Sequence, residues 1–130
     1  MKYLKLCSFV ALVFLFSCTD YSLKDLKTGD ICSIVNDSAS FGAIKILAIE
    51  DSVMHIKLYR NKYSQRPVEK DISGLTMEPD TVNLDFGIAH LAVTKNSFIK
   101  WKPLFIKHED VTEQEMKPYE MWKKKQKKNQ

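Results

Sequence analysis

With 130 residues, 45% of them hydrophobic and 28% charged, the chain has the composition of one globular domain and is too short for two cores. Its formal net charge of +4 is unevenly placed: residues 121–130 hold five lysines and no acid, whereas residues 18–120 carry thirteen basic against sixteen acidic side chains. A mildly acidic body with a basic end excludes the broad basic surface of a nucleic-acid binder, and no apolar run reaches the roughly 20 residues of a membrane-spanning helix.

In chain order, the first element is a leader. Lys2 and Lys5 make a basic start, Leu6 to Phe16 run without a charge, and Ser17 stands directly before Cys18. This is the layout of a secretory signal peptide: basic, then apolar, then a small residue at the cut. Leu15-Phe16-Ser17-Cys18 resembles the lipobox of bacterial lipoproteins, with Phe16 where a small residue is usual. The resemblance implies that residues 1–17 are removed and that Cys18 is diacylated on sulfur, anchoring the chain to a membrane of the cell envelope. Thr19, rather than Asp, after the cysteine implies the outer membrane of a diderm bacterium. Cys7 leaves with the leader and Cys18 is consumed by lipid, so Cys32 remains as a lone thiol with no disulfide partner. Its run, Ile31-Cys32-Ser33-Ile34-Val35, predicts a small buried side chain in a strand.

Residues 18–28 lack periodicity and read as a tether; residues 29–122 form the domain and 123–130 a basic tail. Gly29-Asp30 turns the chain into a first strand, Ile31–Val35. Phe41-Gly42 leads into the clearest signal in the chain, two alternating runs, Ala43–Ile49 and Val53–Tyr59, about Glu50-Asp51-Ser52. They predict a β-hairpin with Ile44, Ile46, Ala48, Met54, Ile56 and Leu58 facing the core and Lys45, His55 and Lys57 facing solvent. Residues 60–86 read as loop, with a short strand at Val82-Asn83-Leu84. Gly87–Thr94 predicts a fourth strand. Phe98–Trp101 and Leu104–Ile106 predict a fifth, broken at Pro103 and so placed at an edge. Thr112-Glu113-Gln114-Glu115 is a capping box and starts a helix. In that helix Met116, Tyr119 and Trp122 make one apolar stripe, Pro118 kinks or restarts it, and Lys123–Gln130 fray into solvent.

The expected fold is therefore α+β: a small twisted antiparallel sheet, or partly open SH3-like barrel, of about five strands with a C-terminal helix.

Few residues are arranged for chemistry. His55, His90 and His108 have no metal-ligand spacing, there is no Cys pair, and no Gly-rich phosphate loop suggests a cofactor. A Gly-x-Ser-x-Gly elbow is also missing. Arg60, Lys62, Tyr63 and Arg66 fall in one acid-free stretch after the hairpin and are the candidate ligand-binding residues, suited to an anionic or stacked aromatic group. The Gly29–Ile31 opening and the Phe41–Ile46 run resemble small bacterial β-domains, some of them toxin-immunity proteins. The resulting expectation is a membrane-anchored, non-catalytic binding or accessory module of the inhibitor or immunity type, with a protein partner in the envelope and no nucleic acid. The competing reading is a small envelope hydrolase with His55 or His90 as base. The lysine tail has two roles open to it, a supplement to the lipid anchor or a solubilising end, and the second is expected because two acyl chains already hold the protein down.

Overall fold

The computed structural model describes residues 22–37, 39–78 and 86–130. The leader, Cys18 and the short strand expected at Val82–Leu84 lie outside these residues. Five strands, β1 (Asp30–Val35), β2 (Phe41–Ile49), β3 (Val53–Leu58), β4 (Ile88–Thr94) and β5 (Leu104–His108), form one antiparallel sheet in the order β4-β3-β2-β1-β5. Four strands meander and the fifth returns beside the first. The sheet is open, with β4 and β5 as its edges, and of the two expected forms the open sheet is the one present.

Gly29 sets the angle at which the chain enters β1. Its φ of +96° lies where a side chain is strained, and a Cβ there would meet His108 Cε1 at 2.5 Å. Its carbonyl accepts from Glu109 N–H at 2.9 Å, tying the start of β1 to the end of β5. Just before it, Leu23 and Leu26 in the expected tether pack against the core.

The hairpin of β2 and β3 forms as its period-two pattern predicts, closed by Glu50 N–H donating to Val53 O at 2.9 Å. A register shift between Ile46 and Ala48 alters one detail. The extra residue turns Ala48 away from Ile44 and Ile46, and Ala48 lies opposite His55.

One face of the sheet carries Cys32, Ile34, Ile44, Ile46, Met54, Ile56 and Val93, all buried. Phe98 covers it, fully buried, with Leu58, Leu91 and Trp101 at the margin. Cys32 is thus the buried apolar residue that its run predicts, and burial, with the nearby Asp30 charge, pushes its thiol up to about 12.

Phe98–Lys100 is not strand. It belongs to a short helix, α1 (Lys95–Lys100), because Thr94 Oγ1 accepts from Ser97 N–H at 3.1 Å and caps it as β4 ends. The helical turn swings Phe98 inward onto the sheet. Lys102, at φ +53°, and Pro103 then stop the helix and start β5 at the edge, where the proline was expected to place it.

The last helix, α2 (Glu113–Lys128), begins at the predicted capping box: Thr112 Oγ1 accepts from Glu115 N–H at 3.1 Å, and Glu115 Oε1 accepts from Thr112 N–H at 3.0 Å. It runs through Pro118 to Lys128, so the lysines are helical rather than frayed. Lysine is a good helix former, and cations in the last turn suit the negative end of the helix dipole.

Candidate functional site

The α2 stripe lies on the second face of the sheet, which the hairpin pattern had assigned to solvent. Lys45 is only 2% exposed and His55 is completely buried. An ammonium removed from water needs a counter-charge, and α2 supplies it. Glu115 Oε1 receives Lys45 Nζ at 2.9 Å, and Oε2 receives Lys57 Nζ at 3.0 Å. Lys45 also donates to the Asp110 carbonyl at 3.1 Å. Burial alone would raise the Glu115 carboxyl, but hydrogen bonds from Thr112, Lys45 and Lys57 outweigh it and bring it down to about 2. Beside this triad lies a cleft of about 350 Å³, bordered by Tyr59, Ile72, Ser73 and Asp110. Burial first, then the Glu115 and Glu109 charges, push the Tyr59 phenol upward, so it stays protonated.

Further along α2, four rings meet. His55 Nδ1 and His90 Nε2 are 2.9 Å apart, with the imidazoles nearly parallel. The rings of Tyr119 and Trp122 close over His55 at centroid distances of 4.6 and 4.8 Å. Glu50, at the hairpin turn, completes the group: its Oε1 accepts from Tyr119 O–H at 2.9 Å and its Oε2 lies 3.4 Å from His55 Nε2. The second contact is too loose for a well-formed hydrogen bond. The Tyr119 bond, followed by His55, holds the Glu50 carboxyl below its ordinary range. Burial, then His55, lowers the basicity of half-buried His90.

The third histidine is separate. His108 Nδ1 lies 2.9 Å from buried Asp30 Oδ1, and its Nε2 lies 2.9 Å from Asp110 Oδ1. With a carboxylate on each nitrogen both must donate, and these bonds, Asp30 first, raise its pKa above the usual value. Asp30 Oδ2 is also used, accepting from Lys27 N–H at 3.0 Å.

The four residues of the acid-free stretch are not brought to one point. Arg66 Nη1 donates to Ser33 Oγ at 2.7 Å and to the Lys102 carbonyl at 3.0 Å, while its guanidinium lies over the Phe41 ring. Arg66 thereby fastens the loop to β1. Tyr63 exchanges two backbone hydrogen bonds with Phe41, at 2.8 and 2.9 Å. Arg60 and Lys62 border a different cleft, of about 230 Å³, with Asn36, Asp37 and Phe86. Arg66 borders a third, of about 320 Å³, with Val68, Leu104, Phe105 and Ile106.

The groups that do converge, Glu50-His55-His90-Tyr119 and Lys45-Lys57-Glu115, escaped the sequence reading. The one signal for them was the Met116-Tyr119-Trp122 stripe, which requires a sheet face to cover. Among the described residues no group of three or more His, Cys, Asp and Glu side chains is placed to hold a metal ion. No protein-family model, curated protein or solved structure matches the chain.

Proposed function

We propose that this protein is an envelope lipoprotein, anchored through lipid on Cys18, whose domain is a non-catalytic binding or accessory module of the inhibitor or immunity type. The observation that carries the binding reading is the edge of the sheet at β5. Phe105 there is 56% exposed and Val68 beside it 53%, two large apolar side chains around the cleft that Arg66 borders. An open edge strand with apolar neighbours suits addition of an extended segment from a partner protein, the backbone giving affinity and the cleft giving selectivity. The histidines support the hydrolase reading less well. His55 has no exposed surface to offer a substrate, and His90 is half-buried with its Nε2 engaged by His55 Nδ1 at 2.9 Å.

Site-specific cross-linking tests the reading. A photoreactive phenylalanine analogue at position 105, in cells making the full chain, should give a discrete protein adduct. The same analogue at exposed position 96 should not. Equal patterns from both positions, or no adduct from either, would rule out β5 as the contact surface.

A further inference from the structure

The His55–His90 pair lies where α2 meets the sheet, and its geometry limits how many protons it can hold. His55 Nε2 faces Glu50 Oε2 at 3.4 Å, and the carboxylate favours the tautomer with its hydrogen on that nitrogen. In the neutral pair, Nδ1 of His55 then accepts from Nε2–H of His90 across 2.9 Å. One added proton is accommodated: His55 becomes an imidazolium that donates to a neutral His90 and is drawn to the Glu50 carboxylate. A second is not. With both rings cationic, two N–H groups point at each other across 2.9 Å, and two like charges sit on rings whose centroids are 5.2 Å apart.

We propose that the His55–His90 pair is a proton-operated latch on α2, closed with at most one proton on the pair and released when both rings are charged. The charged groups around the pair among the described residues agree with this. Glu50, from the hairpin turn, is one carboxylate already shared with Tyr119, so it offsets one imidazolium and not two. From α2, Lys123 Nζ stands 5.7 Å from the Tyr119 ring and adds positive charge on the same side. Lys45 and Lys57, from β2 and β3, are neutralised by Glu115 nearer the helix start. Two like charges at the ring separation favour the released state by about a hundredfold.

The release is local because the start of α2 behaves in the opposite way. Glu115, with its pKa at about 2, keeps its lysines through mild acid. The His108 bridge between Asp30 and Asp110 is complete only when His108 is protonated, so it tightens as pH falls. As the pair gains its second proton in acid, α2 stays fixed at Thr112–Glu115 and lifts from Tyr119 onward, uncovering its aromatic stripe.

Trp122, 4.8 and 5.5 Å from the two imidazoles, is the built-in reporter. In the full chain carrying Trp101→Phe, its emission should be quenched and shifted to the red on going from pH 8 to 4.5. Hydrogen-exchange protection of amides 119–124, corrected for intrinsic rates, should fall by about a hundredfold across the same step, with amides 30–35 unchanged. His90→Gln keeps a donor for His55 but cannot titrate, and should abolish the step. Should that variant fail to fold, Glu50→Gln gives the second test: without the carboxylate that offsets the first imidazolium the closed pair tolerates protons less, so the midpoint must move to higher pH. The latch is overturned by a flat wild-type signal, by a step that persists in His90→Gln, by an unmoved midpoint in Glu50→Gln, or by loss of protection throughout the sheet at the same pH.

Discussion

Replacing Glu115 by Gln leaves the shape of the α2 junction intact and removes the carboxylate that, among the described residues, pairs with both Lys45 and Lys57. Two routes give the cost. Removing one partner of a buried ion pair costs about 3–5 kcal/mol, because the other charge stays desolvated. Independently, the Glu115 carboxyl falls from an ordinary 4.5 to about 2 in the folded chain, which corresponds to about 3 kcal/mol of preference for the ionised form. Both point to about 3 kcal/mol, a large share of the stability of a small domain. In urea unfolding, with a slope of about 1.5 kcal/mol per molar, the midpoint should fall by about 2 M. The sign with pH follows from the depressed pKa. The contribution is fully present above the unfolded value and is lost as pH falls through about 2, so wild type and variant should converge in strong acid. Adding Lys45→Met to Glu115→Gln removes the stranded ammonium and should recover much of the loss, although Lys57 remains unpaired. A Glu115→Gln midpoint within about 0.3 M of wild type would refute the reasoning, as would a double variant no better than the single one.

Cys18→Ser should release the protein from the membrane fraction and abolish labelling by a fatty-acid probe; wild-type protein that takes up no probe would end the lipoprotein proposal. Trp122→Ala should destabilise the domain by about 3 kcal/mol, the low end for a large aromatic because the indole is only part-buried. A melting temperature equal to wild type would show that the ring contributes nothing to docking. For His108 the pKa is raised, so its stabilising effect is present below the unfolded value and disappears as pH rises through the folded one. The stability gap between wild type and His108→Gln should therefore narrow from pH 6 to pH 9, and its imidazole should titrate above 6.5 by NMR; a gap independent of pH would refute the bridge.

How far the fold could be read from the chain depended on how local each cause was. The capping box at Thr112–Glu115 was legible because both of its hydrogen bonds join residues three apart. The β2–β3 hairpin was legible because alternation is a property of each strand on its own. Phe98–Trp101 was misread because four residues rich in apolar groups suit a strand or a helical turn equally. Thr94, capping from the end of β4, decided between them.

The faces of the sheet show the limit most clearly. Alternation sorted Lys45, His55 and Lys57 correctly onto one side, but not which layer would cover that side. That depended on Glu115, which is 70 residues from Lys45 and 58 from Lys57, and on the fit of Tyr119 and Trp122 to the two imidazoles. The same distance hid the pairing of His55 with His90, which lie on different strands and meet only in the assembled sheet. Local sequence set which side chains share a surface. Tertiary structure alone decided that the lysines and histidines of this face would be buried, because a buried charge is tolerated only where the folded chain brings its partner.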